Sequence, residues 1–217
     1  MNIEQARFNM VEQQIRPWEV LDQEVLDLLY VVRREDFVPE VYRELAFSDL
    51  EIPIGEGETM MAPKLEARVL QELALKPGDK VLEVGTGSGY LTALLAHRAA
   101  HVDSIEINPT LKAFGEANLL RAGLRNVTVE AGDAARGWPK HAPYDVIVLT
   151  GSTPVLPESL LAQLKPRGRL FAVVGEPPAM SARLVTAVAD GSYGTVDLFE
   201  TVIAPLKNAE QREKFVF

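Results

Sequence analysis

Apolar and polar positions divide the chain into a helical opening and an alternating body. Ile3, Ala6, Met10 and Val11 recur near the 3.6-residue helical spacing, predicting a helix over Asn2 to Ile15 that Arg16-Pro17-Trp18 breaks. Asp22 is placed to cap a second helix through Val31, and Phe37-Val38-Pro39 ends that unit. Residues 46–62, with Pro53, Gly55 and Gly57, read as loop. Pro63 suits the first position of a third helix, to about Ala74, and Lys76-Pro77-Gly78-Asp79 turns the chain into a strand. Strands near 80–84, 101–106, 126–130, 145–149 and 169–174 then alternate with helices near 89–99, 109–122 and 157–164. Asn108-Pro109, an N-cap followed by a first-turn proline, marks one helix start. The alternation predicts an α/β fold with a doubly wound, mostly parallel sheet. Ala182 to Ala189 and Gly194 to Ala204, joined at Asp190-Gly191, predict an antiparallel pair at a sheet edge. The expected organisation is a helical segment and loop over 1–62 and an α/β body over 63–217, forming one compact unit.

Chemistry concentrates at Val81-Leu82-Glu83-Val84-Gly85-Thr86-Gly87-Ser88-Gly89-Tyr90. An apolar run breaks into three alternating glycines and then a helix, so the segment reads as strand, tight turn and helix start. Glycine lets the backbone turn sharply and lets a ligand approach main-chain N–H groups. Glu106 ends the next strand, about 20 residues on, where nucleotide-binding α/β folds hold a ribose hydroxyl. The spacing G-x-G-x-G, with Glu83 two residues before the first glycine, differs from the G-x-G-x-x-G of dinucleotide binders. It resembles motif I of S-adenosylmethionine-dependent methyltransferases. That cofactor carries an ammonium and a sulfonium and no phosphate, and a site with two carboxylates and no nearby Lys or Arg suits it better than NAD. Gly132-Asp133 follows a strand and can offer an acceptor to an adenine amino group; Thr150 ends another strand and points to the cleft.

Composition narrows the picture. The 217 residues are 47% hydrophobic and 24% charged, enough for a substantial core. No apolar run reaches the length of a membrane span, and there is no cysteine for a disulfide, thiolate metal site or nucleophile. His97, His101 and His141 form no metal pattern. A cytoplasmic enzyme fits these features. The net charge of −9 lies wholly in residues 1–62, with 14 acids against 5 arginines; residues 63–217 hold 17 of each sign. That distribution argues against nucleic acid as substrate. The acidic segment is either a solvated helical face or a surface for a cationic or neutral partner.

Taken in order, the motifs resemble the protein-L-isoaspartate O-methyltransferase family nearly end to end. Val32-Arg33-Arg34-Glu35-Asp36-Phe37-Val38-Pro39 is similar to its "V-P-R-E-x-F-V-P", Ala46-Phe47-Ser48-Asp49 to "A-Y-x-D", and Ile52 to Thr59 to "L-P-I-G-x-G-Q-T". Leu75 to Tyr90 matches "L-x-P-G-x-x-V-L-E-I-G-T-G-S-G-Y". Ser104 to Glu106, Asn126-Val127, Gly132 to Ala134, Gly137 to Pro139, Ala142 to Thr150 and Arg167 to Leu170 follow the later motifs. The resemblance implies methyl transfer from S-adenosyl-L-methionine to the carboxylate of L-isoaspartyl residues in damaged proteins. It implies cofactor contacts at Glu83, Gly85, Thr86, Gly87, Ser88, Gly89, Glu106, Ile107, Asp133, Ala134 and Thr150, with Thr59 and Met61 at the catalytic centre.

The family's loop "T-I-S-Q-P-Y" reads Thr59-Met60-Met61-Ala62-Pro63-Lys64 here, so Met61 replaces the serine, Ala62 the glutamine, and Glu58 the preceding glutamine. An acceptor carboxylate is already ionised at neutral pH and needs no general base; the enzyme mainly orients it. Met61 and Ala62 bring no side-chain donor to that task. A Glu58 facing the acceptor at ~5 Å and an effective dielectric of ~20 would repel it by about 3 kcal/mol. Glu58 turned to solvent, or paired with Lys64, would not. Three functions are therefore carried forward: the isoaspartyl enzyme, a same-fold methyltransferase for another acceptor such as a small apolar molecule, and a non-catalytic module that binds the cofactor or a protein partner.

Overall fold

The computed structural model describes residues 2–188 and 191–212. The opening helix α1 (Ile3–Asn9) starts where the Asn2 side chain accepts from the Gln5 N–H, and it runs on as a π-helical turn over Met10–Ile15 and a tight 3-10 turn over Arg16–Trp18. Glu19, at φ 61°, reverses the chain. Helix α2 (Gln23–Val31) is capped as expected, with Asp22 accepting from Glu24 N–H and Val25 N–H. Two 3-10 turns, Arg34–Asp36 and Glu40–Leu45, follow.

Within the expected loop lies a hairpin, β1 (Ile52–Gly55) and β2 (Glu58–Met60). Gly55, Glu56 and Gly57 all have positive φ and close the turn, and Ile52 pairs with Met60 so that both are buried. Strands of four and three residues are too short to display an alternation in sequence. Helix α3 (Pro63–Leu73) then leads to the sheet.

The sheet comprises β3 (Lys80–Val84), β4 (His101–Glu106), β5 (Val127–Ala131), β6 (Tyr144–Leu149), β7 (Leu164–Glu176), β8 (Ala179–Ala187) and β9 (Tyr193–Glu200). Its order is β5-β4-β3-β6-β7-β8-β9; the first five strands are parallel, and β8 and β9 add antiparallel. Helices α4 (Tyr90–Arg98), α5 (Pro109–Arg121) and α6 (Glu158–Leu161) make three of the four crossovers, and the β5–β6 connection carries only the 3-10 turn Pro139–His141. The last helix is shorter than the sequence predicts because Leu164 already pairs with Tyr144 as the first residue of β7. That strand bulges at Arg167 (φ 65°) before Arg169 pairs with Val146. Ala189 and Asp190, in the expected β8–β9 turn, lie outside the described residues. Strand order reverses at β3, which places a ligand crevice beyond the carboxyl ends of β3, β4 and β6.

One apolar cluster runs from Met10, Leu26, Phe37 and Ile52 in the opening segment to Leu94, Val146 and Phe171 around the sheet. The acidic opening also meets the chain's own bases: Glu19 pairs with Arg68 (3.2 Å), Glu24 with Arg98 (2.5 Å) and Asp49 with Lys64 (2.6 Å).

Helix α5 lies against the glycine turn at Gly115, where an added Cβ would sit 2.8 Å from both the Gly87 carbonyl oxygen and Thr86 Cγ2. Backbone cannot yield as a side chain does. Gly115→Ala is expected to lower stability by a net ~1–2 kcal/mol in urea unfolding, the close contact outweighing the helix-propensity gain of ~1 kcal/mol. An unchanged or higher midpoint would show that α5 can back away.

Candidate active site

A cavity of about 310 Å³ lies at that crevice. Four strand ends supply its floor: Val84-Gly85 after β3, Ile105 to Asn108 after β4, Gly132 to Ala135 after β5, and Thr150-Gly151 after β6. The β1–β2 hairpin closes one side with Glu51, Ile54, Glu58, Thr59 and Met61. Ile203 to Lys207 strap the other.

Glu106 is buried and held at both oxygens: Gly87 N–H donates to Oε2 (2.9 Å) and Asn108 N–H to Oε1 (3.0 Å). The glycine turn and the start of α5 thereby fix a carboxylate on the cavity wall, with lone pairs left for other donors. Gly85 has φ 98°, and a Cβ there would sit 2.2 Å from Thr150 Oγ1. The Thr150 hydroxyl, accordingly, reaches the Val84 (2.8 Å) and Gly85 (2.9 Å) carbonyls, so it braces the turn rather than facing the cleft as a donor. Asp133 receives Ala135 N–H (3.0 Å) and Asn208 Nδ2 (2.8 Å). Ile107, 42% exposed, and buried Ala134 and Ala135 add apolar wall.

Four expected contacts lie elsewhere. Glu83, Thr86, Ser88 and Gly89 do not line the cavity. Glu83 pairs directly with Ser104 across the β3–β4 ladder, so the two side chains share a buried face. Ser104 Oγ (2.6 Å) and Thr92 Oγ1 both donate to Glu83 Oε2, while Oε1 has no partner. Thr86 and Ser104 hydroxyls are hydrogen-bonded at 2.6 Å, extending the network. Burial pushes the Glu83 carboxyl up to about 8, only partly offset by its two hydroxyl donors. Ser88 accepts from Tyr90 N–H (3.3 Å), and Gly89 backs onto Gly115 and Leu119.

On the acceptor side Thr59 and Met61 do line the cavity, but the Thr59 hydroxyl donates to Glu51 (3.1 Å). Glu58 lines the cavity and does not pair with Lys64. Lys64 is engaged by Asp49, and Glu58 Oε1 pairs with Lys207 Nζ at 2.8 Å. Lys207 and Asn208 went unread in the sequence because they follow the last strand without a periodic signal, and Ile203 and Ala204, expected to end that strand, lie beyond its end at Glu200. Arg34, inside a quoted motif, also proves structural for the site: its Nη2 donates to the Met61 carbonyl (2.7 Å). Among the described residues no group of three or more His, Cys, Asp or Glu could hold a metal ion, and no helix is long and apolar enough to cross a membrane.

The lining fits S-adenosyl-L-methionine. Four carboxylates (Glu51, Glu58, Glu106 and Asp133) and an apolar wall suit a cationic nucleoside with a free ribose diol. A pyrophosphate would find one cation, Lys207. Fold and site together define an S-adenosylmethionine-dependent methyltransferase of the doubly wound class.

Comparison with known proteins narrows the class. The profile described as "Protein-L-isoaspartate(D-aspartate) O-methyltransferase (PCMT)" matches residues 5–211, and the chain belongs to that family. It is 40% identical over 195 residues to protein-L-isoaspartate O-methyltransferase 1 of Syntrophobacter fumaroxidans, covering 90% of this chain and 91% of that one. It is 41% identical to the protein-L-isoaspartate O-methyltransferase of Methanoculleus marisnigri, over 92% and 90% of the two chains. The fold matches a Plasmodium falciparum structure of the family, in complex with S-adenosyl-L-homocysteine, at a TM-score of 0.79 and 23% identity, over 92% of this chain and 97% of that one.

Glu83 generates a pH test. Its folded value of about 8 lies above the ordinary 4.5, so between those values the folded state holds a proton that the unfolded state releases. Its contribution to stability is complete below about 4.5 and is lost as pH rises towards about 8. Glu83→Gln keeps the shape without the ionisation. Urea midpoints at several pH values should show the wild type falling relative to Glu83→Gln across that window; parallel curves would mean that Glu83 titrates normally.

Proposed function

We propose that this enzyme methylates the free α-carboxylate of L-isoaspartyl residues in proteins and peptides. The observation that carries the reading is a shared chamber: the hairpin residues Glu58, Thr59 and Met61 open onto the same cavity as Glu106 and Asp133. When bound, S-adenosyl-L-methionine supplies an electrophilic methyl group on a positively charged sulfur. The chain's residues hold the two reactants in register. Glu106, clamped by two backbone N–H groups, accepts the ribose hydroxyls, and Asp133 accepts from the adenine edge. Gly85 and Gly87 keep side chains out of the turn against which the ligand lies. Glu83, Thr86, Ser88 and Gly89 act from behind, setting the turn and the start of α4. The acceptor carboxylate is ionised without help, so the hairpin's work is orientation, for which proximity alone can account for much of the rate.

A second reading, a different acceptor, is favoured by Met61 on the wall and by the commitment of the Thr59 hydroxyl to Glu51. Transfer of labelled methyl to matched peptides, one with aspartate and one with isoaspartate, separates the two. Selective, base-labile labelling of the isoaspartyl peptide is expected. Tight cofactor binding with neither peptide labelled would move the search to other acceptors. Glu106→Ala should weaken S-adenosyl-L-homocysteine binding about tenfold or more in calorimetry, since the carboxylate's charged hydrogen bonds are lost. Undiminished affinity would remove Glu106 from the site.

A further inference from the structure

The acceptor side of the cavity poses an electrostatic problem for a carboxylate substrate. Glu51 and Glu58 both line it, Thr59 donates its hydroxyl proton to Glu51, and Met61 has no side-chain N–H or O–H. An incoming carboxylate therefore meets like charge and little compensation from the hairpin. The one cation among the described lining residues is Lys207. Its ammonium carries three N–H donors and sits 2.8 Å from Glu58 Oε1, while its side chain remains 63% exposed.

The backbone that carries Lys207 is fixed even though the side chain is exposed. Ser152 N–H donates to the Ala204 carbonyl (2.8 Å), Leu206 N–H to the Ser152 carbonyl (2.9 Å), and Ser152 Oγ to the Ile203 carbonyl (3.1 Å). A Cβ at Gly151 would lie 2.9 Å from Leu206 N, so the strap lies directly on the end of β6. One residue on, Asn208 ties the strap to Asp133. Lys207 thus stands at a set position between the two ends of the cavity, with a four-carbon stem free to redirect its charge.

We propose that Lys207 recognises the acceptor carboxylate, leaving Glu58 for the substrate as it binds. In this chain it takes over the orienting task for which Met61 and Ala62 have no side-chain donor. The inference rests on the isoaspartyl reading and deepens it by assigning the specificity-determining group. Glu58 is the resting partner: it parks the ammonium at the cavity wall and competes with the substrate for it. The adjacent Glu58 carboxylate also raises the Lys207 pKa, so the ammonium stays charged throughout the neutral range.

The test is steady-state methylation of an isoaspartyl peptide by the full chain, with S-adenosyl-L-homocysteine calorimetry as a check on folding and on the cofactor end. Lys207→Met should raise KM for the peptide about tenfold and lower kcat, with product affinity close to wild type, and Lys207→Arg should recover most of both losses. Glu58→Gln should lower KM, and that gain should shrink in the Lys207→Met background, where relief of like-charge repulsion remains but no ammonium is freed. An unchanged KM in Lys207→Met would overturn the proposal. So would a fall in product affinity matching the rise in KM, since the pair would then be only a latch on the strap. A wild-type enzyme that binds S-adenosyl-L-homocysteine but methylates neither peptide would overturn the isoaspartyl reading, and the proposal with it.

Discussion

Arg34 is 1% exposed, and three parts of the molecule take their positions from its guanidinium. Nη1 pairs with Glu66 on α3, Nη2 donates to the Met61 carbonyl at 2.7 Å, and the group lies 5.1 Å from the ring centroid of Tyr90, the first residue of α4. Tyr90 in turn meets Phe37 edge-on at 5.5 Å. A buried charge is tolerated only with its partners in place, and removing one side of such a pair typically costs about 3–5 kcal/mol. The acceptor hairpin, the helix that follows it and the helix that follows the glycine turn are therefore not free to shift separately. A second buried pair, Arg7 with Glu35, anchors α1 to the same turn of chain. A reaction that depends on aligning two bound molecules gains from a frame in which both walls are tied to one rigid group.

The parts of this arrangement that were legible in sequence are those with a local cause. The Asp22 and Asn108 caps, Pro63 and Pro109 at helix starts and the strand-then-glycine signature depend on a few neighbouring residues, and the structure contains them where the pattern places them. The site was only half legible. Glu106 reaches the cavity because it ends its strand, whereas Glu83 lies within its strand, directly opposite Ser104, and turns into the interlayer core. One-dimensional spacing showed two acids near a glycine turn; which face each occupies is a property of the ladder. The Glu58–Lys207 pair, separated by most of the chain, has no local signature at all.

Charge shows the same limit. An excess of acid in residues 1–62 reads, along the chain, as a surface awaiting a cation. In three dimensions Arg68, Arg98, Lys64 and Lys207 of the body come to meet it. Most of these pairs are partly exposed, and each contributes little on its own. They mark the face of the acidic segment that meets the body, while the apolar cluster supplies the larger stabilisation.

The altered acceptor loop belongs to that electrostatic pattern. Replacing a neutral amide by Glu58 beside Glu51 would make the chamber hostile to a carboxylate if nothing else changed. The cation that balances it comes from the strap, which Ser152 pins to the end of β6 and Asn208 ties to Asp133. Acceptor and cofactor ends are thus joined twice, through Arg34 beneath the hairpin and through the strap above it. The first link is buried and rigid; the second ends in an exposed ammonium that can exchange partners. Fixed walls with one movable charge are what an enzyme needs to admit the free carboxylate of an isoaspartyl residue and still hold it in line.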